Sequence, residues 1–331
     1  NGIKILLSKR ITMSEMTKKF EYEFAKYMGV KYALMVNSGS SANLLSTFAL
    51  INPLKKNRLI KGDECLIPSL CWSTSLWPIV QAGLVPKFVD VSLNTLNVSI
   101  EEIKKKINKK TKAIIITHIY SFSNDMDKIF KILNKKKIFI IEDAAEVIGL
   151  KYKNKMCGSF GDISTFSFYA NKQITTGEGG MISTNNDKIF EKCKSLRNLC
   201  FGSVDRFNHT EIGWNYRMTN IQASLGLSQI KNLKKVVTKK MQIGQRYYKR
   251  LNLNPNIQIL PPKISYSKNI YWVVGIIIQN DLMTAKQLSK KLLNYGISSR
   301  PFFYPMHRQN ILNKMKLINR TQKFPNSDYL S

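Results

Sequence analysis

A chain of 331 residues, 44% hydrophobic and 10% aromatic, is globular in composition and longer than a single core usually serves. Its five cysteines form no CxxC pair and its three histidines are scattered, which argues against a disulfide framework or a zinc site, and no apolar run reaches the length of a membrane span. The net charge of +31 comes from short lysine runs spread along the chain, which reads as solvated surface with some pull on anionic substrates and gives little support to a nucleic-acid partner.

In chain order, apolar residues at helical spacing (Met16, Phe20, Phe24, Tyr27) predict a helix over 12–28 that stops at Gly29. Short apolar runs then alternate with amphipathic stretches: strand 32–36, helix 42–51, strand 64–67, helix 73–81, strand 86–89, helix 100–107, strand 113–117, helix 127–133 and strand 138–141. Such alternation predicts an α/β fold with a mainly parallel sheet covered on both faces by helices. A hairpin over 149–162 and a strand-like 162–168 follow, then a helix over 186–198 and one long or two joined helices over 220–250. Residues 252–262 carry prolines and read as a linker. Beyond them a strand over 271–278 and a helix over 284–293 suggest a smaller α+β domain. The expected division is 1–250 and 251–331. No signal-peptide core opens the chain, so a cytoplasmic protein is expected, and the start at Asn1 and the stop at Ser331 read as a truncated sequence.

Four segments follow predicted strands, where open α/β sheets hold their ligands. NSGSSAN (37–43) offers small residues and a helix N-terminus to an anion, although a serine cap would account for it equally well. IIEDAAEVIG (140–149) places Glu142 and Asp143 at the end of a buried strand, where a carboxylate can hold a protonated ring nitrogen or, in another fold, magnesium. FSFYANKQITTGEGGM (166–181) sets Lys172 between a strand and a glycine turn. An amine used in covalent chemistry needs desolvation to lower its pKa, whereas a surface lysine needs none. EIGWNYRMTNIQASLG (211–226) sets Asn215 and Arg217 around an aromatic before a helix opened by Thr219 or Asn220.

In this order, and together with GDECLIPSLCWSTSLWPIVQAGLVPKFVDV (62–91), the segments resemble the DegT/DnrJ/EryC1/StrS family of nucleotide-sugar aminotransferases over about residues 12–307. The resemblance implies a pyridoxal-phosphate-dependent transferase of the aspartate-aminotransferase fold (fold type I), cycling between the pyridoxal and pyridoxamine forms of its cofactor. It implies that Lys172 forms the Schiff base and shuttles protons, and that Asp143 pairs with the pyridine nitrogen. Ser38, Gly39, Ser40 and Ser167 match the phosphate site, Trp72 the aromatic against the ring, and Glu146 a position beside it. Asn215 matches a residue reaching the phosphate from the other subunit, which implies a homodimer with shared active sites. Arg300 and His307, in SRPFFYPMHRQ, match the sugar side; no metal is implied.

The motifs are most similar to the branch that aminates C4 of GDP-4-keto-6-deoxymannose with glutamate as donor, for surface polysaccharide. Other keto-sugar nucleotides (UDP- or dTDP-linked, aminated at C3 or C4) and the related sugar 3-dehydratases are the alternatives. The dehydratases carry His in place of the lysine. In the C4 branch Thr commonly follows the lysine, whereas this chain has Gln173. A reading of another class, a non-catalytic basic protein that binds polyanions, leaves Lys172, Asp143 and the phosphate-loop serines without a purpose.

Overall fold

The computed structural model describes residues 2–51, 58–133, 136–209, 211–279, 283–318 and 321–331. It opens with a short helix α1 (Gly2–Leu7) and the amphipathic α2 (Glu15–Met28), whose Phe20 and Phe24 are fully buried. Gly29 ends α2 in the left-handed conformation, as the sequence predicts. Strands and helices then alternate: β1 (Tyr32–Val36), α3 (Gly39–Leu50), β2 (Glu64–Pro68), α4 (Ser73–Gln81), β3 (Val85–Val89), α5 (Ile100–Lys106), β4 (Thr111–Thr117), α6 (Met126–Leu133) and β5 (Phe139–Asp143). The small hairpin β6 (Lys151–Tyr152) and β7 (Lys155–Met156) leads to β8 (Ile163–Ser167) and β9 (Gly180–Thr184).

Seven strands form one sheet in the order β1-β9-β8-β5-β4-β2-β3. The strands β8, β5, β4, β2 and β3 pair in parallel, while β9 runs antiparallel to both β1 and β8. Sequence reasoning missed β9: GMIST opens on glycine and follows a glycine turn, so it carries little strand signal. Its reversal has a consequence for the site. It brings the start of β9 to the sheet edge where the other strands end, with Gly180 opposite both Val36 and Ser167.

Alternate side chains along the strands enter two cores. Met35, Leu66, Ile114, Ile116, Ile140, Phe166 and Met181 pack under α2, α5 and α6, whereas Leu34, Ile67, Ile115, Ile141, Ile163 and Ile182 pack under α3 and α4. A sheet apolar on both faces explains why its strands read as continuous hydrophobic runs.

The chain continues through α7 (Asp187–Arg197), α8 (Asn220–Ile230) and α9 (Leu233–Leu251), so of the two readings of 220–250 the pair of joined helices holds, with the break at Lys231–Asn232. Beyond α9, β10 (Ile257–Ile259) pairs with β13 (Ile276–Ile278), and β11 (Lys263–Ile264) and β12 (Ser267–Lys268) join the β6–β7 hairpin. The helices α10 (Ala285–Leu293), α11 (Asn310–Lys314) and α12 (Pro325–Tyr329) follow. The strand predicted over 271–278 is realised only at 276–278. Tyr271 adopts a left-handed φ of 49°, and the Trp272 N–H turns away to donate to Ser121 Oγ. Tertiary contacts there override the strand propensity of an aromatic, β-branched run.

Candidate active site

Four chain segments converge at the carboxyl edge of the sheet. The turn after β1 becomes the N-terminus of α3, where Ser38 caps the helix by accepting from the Ser41 N–H at 3.0 Å. The serine cap weighed from sequence is therefore real. It leaves the first N–H groups of α3, those of Gly39 and Ser40, without intrahelical acceptors at the positive end of the helix. Gly39 is required by its neighbour, since a methyl there would sit 2.8 Å from the Ser167 Cβ. The helix terminus and the Ser167 side chain thus lie against one another.

Asp143 ends β5 and is 4% exposed. One carboxylate oxygen accepts from Asn43 Nδ2 at 3.1 Å and Ser75 Oγ at 2.6 Å, and the other from the Ala145 N–H at 3.1 Å. Asn43 is itself oriented by the Thr165 hydroxyl at 2.6 Å. Three donors and no acceptor set the orientation of the Asp143 carboxyl. Ser75 and Asn43 were not singled out from sequence; both lie inside quoted motifs, but only the fold reveals that they point at one acid.

The acidic neighbour takes a different job. Glu142 faces the opposite side of the strand, where it binds His118 Nε2 at 2.8 Å, the N–H groups of Gly158, Phe160 and Gly161, and Ser164 Oγ. These donors outweigh burial and hold its carboxyl below the usual range. Glu142 therefore locks the exit of the β6–β7 hairpin.

Lys172 lies on the loop between β8 and β9, whose neck is closed by Phe168 N–H to the Gly179 carbonyl at 2.8 Å. Helix α8 braces the loop: Gln229 receives the Thr175 N–H at 3.1 Å and donates to the Thr175 carbonyl at 2.7 Å. The Lys172 amine sits 3.7 Å from the centre of the Trp272 ring and pairs with no carboxylate among the described residues. Burial lowers its pKa, although Glu146 and Asp143 are near enough to oppose that. Glu146, 5% exposed, accepts the Tyr120 N–H at 2.7 Å, and burial pushes its carboxyl up to about 7. Gln173 is buried behind it and donates to the Glu146 carbonyl at 3.0 Å.

Trp72 precedes α4, the helix that supplies Ser75, and leaves 53% of its surface open against Phe303. No hydrogen bond or ion pair among the described residues joins the remaining sequence candidates to Lys172. Asn215 is exposed, next to Tyr216 whose carbonyl accepts the Asn37 N–H at 3.1 Å. Arg300 is exposed, and His307 is buried on Phe324 with Nε2 2.8 Å from Asp328. Among the described residues no cluster of His, Cys, Asp and Glu is arranged to hold a metal, and no helix is long and apolar enough to cross a membrane.

An amine in a desolvated loop, a donor-locked carboxyl and a helix N-terminus all lie at one edge of an α/β sheet, an arrangement that suits a phosphorylated cofactor with a ring nitrogen. Comparison with known proteins makes this specific: residues 3–331 match the DegT/DnrJ/EryC1/StrS aminotransferase family, and the chain belongs to it.

A GDP-perosamine synthase of Vibrio cholerae is 37% identical over 294 residues, covering 87% of this chain and 77% of that one. A GDP-4-keto-6-deoxy-D-mannose 3-dehydratase of Escherichia coli O55:H7 is 34% identical over 315 residues, covering 90% and 80%. Among solved structures, a doubly substituted ColD superposes with a TM-score of 0.93 at 32% identity, covering 99% of this chain and 90% of that one. The E. coli GDP-4-keto-6-deoxy-D-mannose-3-dehydratase solved with hydrated pyridoxal phosphate gives 0.91 at 31% identity, covering 99% and 88%. The protein is a pyridoxal-phosphate-dependent enzyme of the sugar-aminotransferase class. Its own residues fit that cofactor: the approach of Gly39 to Ser167 leaves no room for a Cβ at the helix N-terminus, the Asp143 carboxyl is held in one orientation, and the Lys172 amine has no carboxylate partner among the described residues.

Proposed function

We propose that this protein transfers an amino group from an amino acid, glutamate, to C4 of GDP-4-keto-6-deoxymannose, giving GDP-perosamine for surface polysaccharide. The observation that carries this reading is the amine of Lys172, desolvated and free of carboxylate partners at the edge of the sheet. Relatives named GDP-perosamine synthase, at 37–38% identity, favour the same substrate.

Pyridoxal phosphate supplies, when bound, an electron sink for the bonds made and broken at the substrate carbon. Asp143 would hold the protonated ring nitrogen. The N–H groups of Gly39 and Ser40, with the Ser167 hydroxyl, would take the phosphate, and Trp72 and Glu146 would line the ring. Lys172 would anchor the cofactor covalently, and its amine is the base placed to take a proton from the donor carbon and to return one to C4 of the sugar. A second copy would complete the site with its Asn215, and Arg300 and His307 are the residues proposed for the nucleotide sugar.

The second reading, 3-dehydration, is favoured by relatives at 32–34% identity. Lys172 speaks against it. The ColD form with the TM-score of 0.93 carries substitutions of adjacent serine and histidine by asparagine and lysine; this chain has Asn171–Lys172 as its natural pair.

Borohydride reduction of protein incubated with pyridoxal phosphate tests the anchor. The cofactor should become fixed to the peptide holding Lys172, and the absorption band of the bound form should vanish in Lys172→Ala. Labelling of any other lysine, or of none, would sink the reading.

A further inference from the structure

Trp272 was not marked out by the sequence, yet its ring faces the Lys172 amine. Its ring centre lies 3.7 Å from Lys172 Nζ, across a hundred residues of chain. The tryptophan is held from both sides of its backbone: its N–H donates to Ser121 Oγ, and its carbonyl accepts from Lys240 Nζ of α9 at 3.2 Å. Its ring is stacked on Tyr120 at an interplanar angle of 26°. Tyr120, Ser121 and Tyr271, which surround it, all adopt left-handed φ values of 48°, 75° and 49°. Non-glycine residues tolerate that region only where surrounding contacts over-determine it. The indole is thus a rigid plate, placed at a cost in backbone strain.

The groups facing the amine explain the use of such a plate. Glu146 and Asp143 approach from the end of β5, Lys240 from α9, and Tyr120 remains a neutral phenol. A buried lysine among two carboxylates would ordinarily pair with one of them, which would fix its proton and remove its lone pair. An aromatic face attracts an ammonium more weakly and accepts a neutral amine without penalty.

We propose that Trp272 is a positioning residue whose indole face holds the Lys172 amine apart from the Glu146 and Asp143 carboxylates, leaving it unpaired for bond formation with a carbonyl carbon. The proposal rests on Lys172 being the reactive amine, but not on the identity of the sugar.

The test measures the amine itself, on the full-length chain freed of cofactor, by the rate of Lys172 acetylation with acetic anhydride across pH, read by peptide mass spectrometry. Trp272→Leu, which fills space without a π face, should let the amine pair with Glu146. The midpoint of the profile should then rise, and labelling near neutral pH should slow about tenfold for each unit of that rise. Trp272→Phe should stay close to wild type, and Trp272→Leu combined with Glu146→Gln should recover the fast rate. A midpoint that is unchanged or lower in folded Trp272→Leu protein, or a double variant as slow as the single one, would overturn the proposal. Circular dichroism identifies folded protein; if Trp272→Leu does not fold, a Trp272→Phe midpoint raised as far as that of a Trp272→Met variant overturns it instead.

Discussion

At Glu146 burial works against charge. Its carboxyl is pushed up to about 7, against about 4.3 in an unfolded chain. Between those values the folded protein holds a proton that the unfolded chain has released, so this group's contribution to stability falls as pH rises from about 4 to about 7 and is flat above. Glu146→Gln removes that slope. The melting temperature of the variant relative to wild type should therefore be higher at pH 8 than at pH 5; a difference that is constant or reversed would mean that Glu146 is already ionised at pH 5. Asp143, three residues earlier, has the opposite surroundings, with three donors trained on it. Two acids so close in sequence are thus set to different tasks by what surrounds each.

At the scale of elements, the site depends on how α8 meets its neighbours. Gly226 of α8 lies so close to α2 that a Cβ there would come within 2.4 Å of the Phe20 ring, and Gln229 on the same helix clamps the Lys172 loop through Thr175. Gly226→Ala should push the two helices apart at a cost of about 1–3 kcal/mol. The measurement is the shift in urea midpoint at unchanged slope. A midpoint equal to that of wild type would show that the α2–α8 contact yields freely.

The elements also mark what a sequence can tell. The strands of the parallel sheet read clearly because burial on both faces leaves them almost wholly apolar, and the acid and the small-residue turn stand out because they interrupt such runs. β9 escaped notice because its opening glycine and its closing Ser183 and Thr184 leave no apolar run like those of the other strands. The run at 271–278 misled because its residue types favour a strand while Ser121 and Lys240 pull Trp272 out of line. Contacts such as Trp272 with Lys172, or Asn43 and Ser75 with Asp143, depend on which loops the sheet brings to one edge; no local spacing encodes them.

For the whole molecule, a net charge of +31 creates a positive field around a site that takes a phosphorylated cofactor and, as proposed, a diphosphate sugar. Long-range attraction of this kind speeds encounter and is screened by salt, whereas contacts inside the site are screened far less. Raising ionic strength from about 0.05 M to about 0.5 M should lower the association rate constant of the nucleotide sugar about tenfold, with turnover changed much less. Association that ignores salt would mean the lysines do not steer the substrate.

As proposed, Lys172 moves an amino group onto a sugar. The most direct measurement supplies GDP-4-keto-6-deoxymannose and pyridoxal phosphate together with glutamate carrying a heavy nitrogen isotope, and follows the product by mass spectrometry. The expected product is GDP-perosamine with the heavy nitrogen bonded at C4, and no such product from Lys172→Ala. A sugar product that has lost its C3 oxygen and carries no labelled nitrogen would contradict it.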